Sequence, residues 1–423
     1  MSPVVEDRAA ARAAAREVPG RDDPVVTGIG VTAPNGLGRE AWWRATLAGT
    51  SGIRPVSRFD AGRYPARLAG EVPGFDPAEH IPGRLLPQTD HMTRLALTAA
   101  AEALQDCGAD PEQLPEFAAG VVTAASAGGF EFGQRELEAL WSRGGQHVSA
   151  YQSFAWFYAV NTGQISIRHG LRGPSGVLVT GEAGGLDAVA QAGRQLRKGS
   201  RLIVTGGVDG SLCPWGWTAH LAGGRMSTVD DPARAYLPFG AGASGHVVGE
   251  GGAILVLESA EAARERSARV YGSLAGYAAT FDPAPGSGAE PGLRRAAELA
   301  LERAGAAPGT VDVVFADAAG VPGQDRAEAE AITAVFGPRA VPVTAPKTLT
   351  GRLGAGGGSL DLAAALLSFR DGVLPPTADV GALAPGCDLD LVTGARHGAV
   401  RTALVLARGQ GGFNAAAVLR AAD

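Results

Sequence analysis

Apolar residues along the chain fall into short unbroken runs, separated by stretches whose apolar positions recur at helical period. AAGVVTAAS (118–126), VLVT (177–180), RLIVTG (201–206) and GGAILVLES (251–259) carry no polar alternation, the pattern of strands buried on both faces. HMTRLALTAAAEALQDC (91–107) and residues 184–198 have helical spacing. The scheme then repeats, with a helix over GLRRAAELALERAG (292–305), strands over VDVVFADA (311–318) and VPVTAP (341–346), and a helix over SLDLAAALLSFRDG (359–372). RTALVLARG and NAAAVLRA close the chain as strands. This alternation predicts an α/β fold on a parallel or mixed sheet covered on both faces. The core opens with a strand at Val25–Thr27, and residues 1–22, rich in Ala, Arg and Glu, read as a frayed or disordered lead. An amphipathic helix over RAAARAAAREV is the other reading of that lead.

The chain also echoes itself. GLDAVAQAGRQLRKG after VLVTG and SLDLAAALLSFRDG after VPVTAP share a strand, a glycine turn, a Leu-Asp helix start and Arg–x–Gly at the helix end. Asp187 and Asp361 are placed in the first helical turn, where a carboxylate suits the dipole. The echo divides the chain into two similar halves, 23–260 and 265–423; chance repetition of ordinary βα grammar is the alternative.

Composition narrows the function classes. With 423 residues, 45% of them hydrophobic, and a net charge of −6, the chain can bury a large core and is a poor match for nucleic acid. No apolar run reaches membrane-spanning length and no secretory signal is visible. Cys107, Cys213 and Cys387 stand far apart in no CxxC spacing, so no disulfide framework or zinc site follows and a reducing cytoplasm is the natural setting. The seven histidines form no HExxH pair. Gly28 and Gly30 suggest a dinucleotide fingerprint, but the third glycine is displaced and no ribose-binding acid follows. The 37 basic residues are arginines apart from Lys198 and Lys347. A lysine kept against that bias is a candidate for a role that only a compact ammonium fills. Lys198 lies near a helix end, where any cation serves, so Lys347 is the one of interest.

Candidate chemistry centres on VLVTGEAGGLDAVAQ (177–191). Glu182 stands at a strand-to-helix corner, where many enzymes place a nucleophile and where a helix N-terminus favours anions. Helix capping is its structural alternative. Asp317 ends a strand and Arg352 lies in KTLTGRLGAGGG, five residues after Lys347. Asp and Arg suit an ion pair better than base catalysis, because a guanidinium keeps its proton.

Longer motifs then carry a specific resemblance: SFAWFYAVNTGQISIRHGLRGPSG (153–176), VTGEAGGLDA (179–188), GGVDGSLCPWGW (206–217), YLPFGAGASGHVVGEGGAILVLE (236–258), FADAAGVPGQDRAEAEAI (315–332), APKTLTGRLG (345–354) and ARGQGGFNAAAVL (407–419). From residue 23 onward the chain resembles the β-ketoacyl synthases of thiolase-like fold, and among them the chain-length factors, or ketosynthase beta subunits, of bacterial type II aromatic polyketide synthases. The resemblance implies two duplicated halves in a five-layered αβαβα arrangement. It also implies that Glu182 replaces the acyl-carrying cysteine of condensing enzymes, while Asp317 and Arg352 replace their two histidines. No catalytic set is then intact. Lys347 and the GGFN loop (Gly411 to Asn414) remain, with Lys347 expected to pair with an acid such as Glu250 or Glu328.

The family pairs such a subunit with a cysteine-bearing ketosynthase alpha subunit, and a tunnel at their interface limits polyketide growth. Activity is therefore expected only within that heterodimer. By the same resemblance the tunnel positions are Phe130, Gly133, Leu137 and Phe154, the first three at i, i+3, i+7 on one helix face. Trp156, Phe157 and Tyr158 fall in the aromatic block expected at the interface. Ordinary core packing is the other reading of both groups. Bulkier residues accompany shorter products in the family, so Gly133 and Leu137 point to a product longer than an octaketide. The growing chain is expected on the phosphopantetheine arm of an acyl carrier protein, with no cofactor held by this chain, no nucleic acid and no membrane. Many relatives carry glutamine at the corner; ionised Glu182 accepts hydrogen bonds only and would repel the enolate of malonyl decarboxylation. Two further readings stay open, an independent acyltransferase or hydrolase using Glu182 and a pure assembly scaffold.

Overall fold

The computed structural model describes residues 23–284 and 286–422; the lead read at 1–22 lies outside them. The N-terminal half contributes β1 (Val25–Ala33), α1 (His91–Cys107), β2 (Ala119–Ala124), α2 (Phe130–Arg143), α3 (Val160–His169), β3 (Ser175–Leu178), α4 (Gly184–Arg197), β4 (Leu202–Asp209), α5 (Pro214–Ala222) and β5 (Gly251–Glu258). The C-terminal half contributes β6 (Gly272–Phe281), α6 (Leu293–Ala304), β7 (Val313–Phe315), α7 (Pro322–Phe336), β8 (Pro342–Thr344), α8 (Ala355–Asp371), β9 (Asp390–Leu391), β10 (Thr402–Gly409) and β11 (Phe413–Ala421).

The strand order is β9-β8-β7-β10-β11-β6-β1-β5-β4-β2-β3. Outward from the centre one half runs β1-β5-β4-β2-β3 and the other β6-β11-β10-β7-β8, with β9 added at the edge. Both halves open with two antiparallel pairings and continue with two parallel ones. Each carries a register shift at the matching place, between Val26 and Gly28 and between Leu274 and Gly276. The weak sequence echo therefore belongs to a real duplication. The halves meet where β1 pairs β6 antiparallel at Val25–Ser273 and Val26–Gly272.

The same duplication explains the glycines that resembled a nucleotide fingerprint. A Cβ on Gly28 would lie 2.2 Å from the Ala103 carbonyl oxygen, and one on Gly276 would lie 2.2 Å from that of Ala300. In each half the strand glycine lets a covering helix, α1 or α6, press its backbone onto the sheet. These are packing glycines.

Helices α4 and α8 sit against each other in the core, almost wholly buried along their small-residue faces. The sequence places the start of the second of these helices at Ser359, and the structure corrects this to Ala355. The run AGGG, legible as a turn, is helical because its glycines take close backbone contacts: a Cβ on Gly356 would meet the Gly251 carbonyl oxygen at 2.1 Å. Asp361 consequently lies inside α8 rather than in its first turn. The strand expected over 311–318 is confined to Val313–Phe315, because the chain beyond it is held by side chains of the site.

Asp90 ties two helices together. It caps α1 by accepting from the Met92 N–H at 2.9 Å, and its second oxygen accepts from the Phe132 N–H of α2 at 2.7 Å. Burial pushes its carboxyl up to about 6 against the pull of those two amides. Asp90→Ala should lower stability by about 2–4 kcal/mol, through a lost cap and an orphaned buried amide, while Asp90→Asn, whose one amide oxygen can meet only one of the two N–H groups, should recover part of that loss. Urea unfolding of the two variants checks this, and equal losses would contradict it.

Candidate functional site

The corner between β3 and α4 is a single 3-10 turn, Gly181–Ala183, made possible by Gly181 at φ 59°, a left-handed conformation that costs a side-chain-bearing residue. It presents Glu182 at the start of α4, with the side chain 19% exposed. Asp317 arrives from the end of β7 and Arg352 from the segment before α8, and the three positions singled out in the sequence do converge.

Arg352 is the hub. Its Nη2 donates to Asp317 Oδ1 at 2.9 Å, its Nη1 to the Asp317 carbonyl at 2.8 Å, and its Nε stands 3.6 Å from Glu182 Oε1. The Arg408 N–H also donates to Asp317 Oδ1. Burial alone would raise the Asp317 carboxyl, but the Arg352 guanidinium and the Lys347 ammonium overcome it and hold the group below its ordinary value. Burial likewise opposes the charge of Arg352, and the carboxylates of Asp317 and Glu182 reverse that effect and raise it well above its ordinary value.

Lys347 does not pair with Glu250 or Glu328. Its Nζ stands 2.6 Å from Asp361 Oδ2 and donates to the carbonyls of Ala316 and Asp317 at 2.8 and 3.2 Å. The two expected partners are engaged elsewhere. Glu250 takes Arg58 and His91, and Glu328 accepts from the N–H groups of Asp317 and Ala318 at 2.6 and 2.8 Å. The choice follows from the extended α8, which brings Asp361 beneath the site. Ala318 has φ 51°, a strained conformation for a residue with a Cβ. Glu328 holds it from the amide side and the Tyr236 hydroxyl, donating to the Ala318 carbonyl at 2.6 Å, from the other.

Two imidazoles stand around this cluster that the sequence reading left out. Burial, opposed by the Glu182 carboxylate, lowers His220, which is hydrogen bonded to the Ser211 hydroxyl at 2.7 Å. Burial and the Arg352 charge lower His246 to about 3, and it bonds the Ala319 carbonyl. Neither replaces Asp317 or Arg352, but the surroundings of the site are not free of histidine. His220 lies just outside the motif at 206–217 and His246 inside the one at 236–258, but nothing in either stretch shows how close it comes to the corner. The partly open pocket lined by Glu182, Asp317, Lys347 and Arg352 with Leu353 and Ala407 leaves about 10 Å³ to the centre of a water molecule, room for about one water. No acyl chain fits there. Among the described residues no His, Cys, Asp or Glu cluster could hold a metal ion.

The other predicted positions gather at or just under the surface. Helix α2 buries Phe132, Gly133, Glu136 and Ala139, while Phe130 is partly buried and Leu137 is exposed; Gly133 lies covered between them rather than on the open surface. Trp215, which the sequence reading did not single out, belongs with them. Its ring lies on Phe130 at 4.5 Å between centroids, and its Cζ3 is 3.0 Å from where a Cβ on Gly133 would sit. The space that Gly133 leaves is therefore filled by an indole, and a longer product does not follow from that glycine. Trp156, Phe157 and Tyr158 are all exposed, and Phe154 is half-buried. Of the twelve large exposed apolar side chains among the described residues, nine fall between Leu137 and Val179 in the sequence and Trp215 is a tenth; exposed apolar side chains concentrated in one stretch of chain suit an interaction surface. β3 beside it pairs on one side only among the described residues. No helix among them is long and apolar enough to cross a membrane.

Comparison with known proteins agrees with this geometry. Residues 22–263 match the beta-ketoacyl synthase N-terminal domain and residues 271–381 its C-terminal domain. The chain is 62% identical over 399 residues to the tetracenomycin polyketide synthase ketoacyl synthase beta subunit of Streptomyces glaucescens, covering 94% of this chain and 98% of that one. It is 61% identical over 398 residues to the actinorhodin polyketide putative beta-ketoacyl synthase 2 of Streptomyces coelicolor, with the same coverage. Among solved structures, the ishigamide ketosynthase/chain length factor superposes with a TM-score of 0.85 at 27% identity, over 96% of this chain and 100% of that one. A type II polyketide synthase acyl-carrier protein in complex with its ketosynthase bound to the hexaketide gives 0.84 at 27% identity, over 95% and 99%.

Two outcomes follow from the ion network. Arg352→Ala should cost about 3–5 kcal/mol because it strands the buried Asp317 carboxylate, whereas Glu182→Gln, removing a longer and partly exposed contact, should cost less than about 1 kcal/mol. Comparable losses in thermal unfolding would contradict this ranking. Burial, reinforced by the Asp317 carboxylate, pushes Glu328 up to about 7. Its folded value is raised, so the stability it contributes is fully present below about pH 4.5 and is lost as pH rises through about 7. Glu328→Gln does not titrate, so its stability relative to the natural chain should rise across that window. A difference independent of pH would count against the shift.

Proposed function

The chain belongs to the beta-ketoacyl synthase family, and from that premise we propose that it is the non-condensing subunit of a type II polyketide synthase. It pairs with a cysteine-bearing ketosynthase and sets polyketide length through a tunnel at their interface. The observation that carries this reading is the ion-paired closure of the site. Condensation needs a thiolate to hold the chain and imidazoles to assist malonyl decarboxylation. Here a carboxylate, a bidentate Asp–Arg pair and a space of about 10 Å³ take their places, so the nucleophile comes from the second subunit. The same closure weighs against an independent acyltransferase or hydrolase using Glu182. With a guanidinium beside it and no N–H of its own, Glu182 offers an enolate no donor, and no decarboxylase role is assigned to it.

The exposed aromatic block around Trp156, Phe157 and Tyr158, with the free edge of β3, is the surface the partner covers; aromatic residues dominate such interface cores. Phe130, Gly133, Leu137 and Phe154, joined by Trp215, line the tunnel at that junction. The growing chain arrives on the phosphopantetheine arm of an acyl carrier protein. The chain is assigned no cofactor of its own, and its setting is the cytoplasm.

Co-expressed with its ketosynthase partner, the chain should give a one-to-one complex by native mass spectrometry. A homodimer that ignores the partner would overturn the assignment. In the assembled complex, Gly133→Thr with Leu137→Phe should shorten the polyketide products measured by mass spectrometry, and unchanged product lengths would leave the assembly-scaffold reading instead.

A further inference from the structure

Helix α5 begins without a cap of its own. Its N-cap residue is Cys213, which makes no side-chain capping bond, and Pro214 occupies the first helical position. The next residue, Trp215, therefore has an amide N–H that the helix cannot satisfy, and capping side chains normally accept from that second or third position. The acceptor is instead the Oε1 of Gln134 on α2, at 2.8 Å. The amide orientation of Gln134 is fixed in turn, since its Nε2 donates to Glu138 Oε1 one turn along, at 2.9 Å. Gln134 neighbours Gly133, and the residue it caps is the one whose ring lies on Phe130 and fills the space beside Gly133.

We propose that Gln134 is a positioning residue for product length: it caps α5 from the neighbouring helix and so holds the Trp215 indole across the tunnel face. This rests on the tunnel reading above. Gln134 need not touch the polyketide. Phe130, Gly133 and Leu137 shape the α2 wall, and Gln134 fixes the distance of the opposing indole from that wall. Without the acceptor, the exposed Trp215 amide is left to water and the weakly accepting Cys213 sulfur, the first turn of α5 loosens, and the indole no longer closes the space beside Gly133.

The test compares the ketosynthase complex carrying Gln134→Leu, Gln134→Glu/Glu138→Gln or Gly133→Thr/Leu137→Phe, with native mass confirming assembly and product lengths read by mass spectrometry. Gln134→Leu should raise the ratio of longer to native-length products about tenfold, the population change expected from losing one hydrogen bond of ordinary strength. Gln134→Glu combined with Glu138→Gln keeps an acceptor for the Trp215 amide and reverses the donor along the helix without setting two carboxylates at i,i+4. This pair should restore the natural ratio, a rescue that a merely space-filling role would not predict. If Gly133→Thr/Leu137→Phe shifts lengths while Gln134→Leu does not, the positioning role is wrong and the tunnel stands. If neither shifts lengths, the tunnel reading fails and the role falls with it. Should Gln134→Leu not assemble, Gln134→Ser, too short to reach the amide, supplies the same comparison.

Discussion

A guanidinium buried at Arg352 is costly unless carboxylates meet it, and that requirement organises much of the second half of the molecule. Removing a charge from water costs several kcal/mol even after relaxation, and only close, well-oriented partners recover it. Asp317 supplies a two-point contact, Glu182 a longer one, and the Arg408 amide takes part of the remaining capacity of Asp317. Lys347 and Asp361 form a second pair beneath. Holding Asp317 in place requires the strained turn at Ala318, which Glu328 and Tyr236 clamp from both sides. The outcome is a packed, charged plug where related condensing enzymes keep an acyl-accepting thiol.

This plug and the exposed face are two sides of one division of labour. A chain whose catalytic corner admits one water has no internal place for a growing polyketide, so any effect on product must come from its surface. That surface is where the apolar side chains stand unburied, from the end of α2 through the aromatic block and along β3. The linkage between its parts is physical. Asp90 sets the start of α2, and Gln134 of α2 sets the start of α5. Trp215 at that start then faces Phe130 and Gly133. The geometry of the α2 face is thus set by two polar contacts, a buried one at Asp90 and an exposed one at Gln134.

Much of this was legible in the sequence because it depended on period and local grammar. Unbroken apolar runs located most long strands but not β6, whose GSLAGYAATF carries no such run, and helical spacing located α1, α4 and α6 to within a residue or two. The faint echo between the Leu-Asp helices foretold a duplication whose strand order and bulges coincide. The convergence of Glu182, Asp317 and Arg352 came from motif resemblance. What escaped depended on contacts between distant segments. AGGG looked like a turn because only packing against Gly251 makes it helical. The partner of Lys347 changed once α8 was extended and Asp361 came beneath it. Trp215 sat in a Pro-Trp-Gly-Trp stretch with no visible relation to Gly133, and its indole removes the simple inference from a missing side chain to a longer product. His220 and His246 likewise carry no local signal of their place near the ion network.

The central claim is that this chain shapes the product without ever holding it. Labelled malonyl groups supplied on the acyl carrier protein to the assembled complex, followed by rapid quenching and intact-mass analysis of each subunit, address it directly. Acyl adducts should appear on the cysteine-bearing partner alone, with this chain at its unmodified mass. An acyl adduct on this chain, abolished by Glu182→Gln, would contradict it.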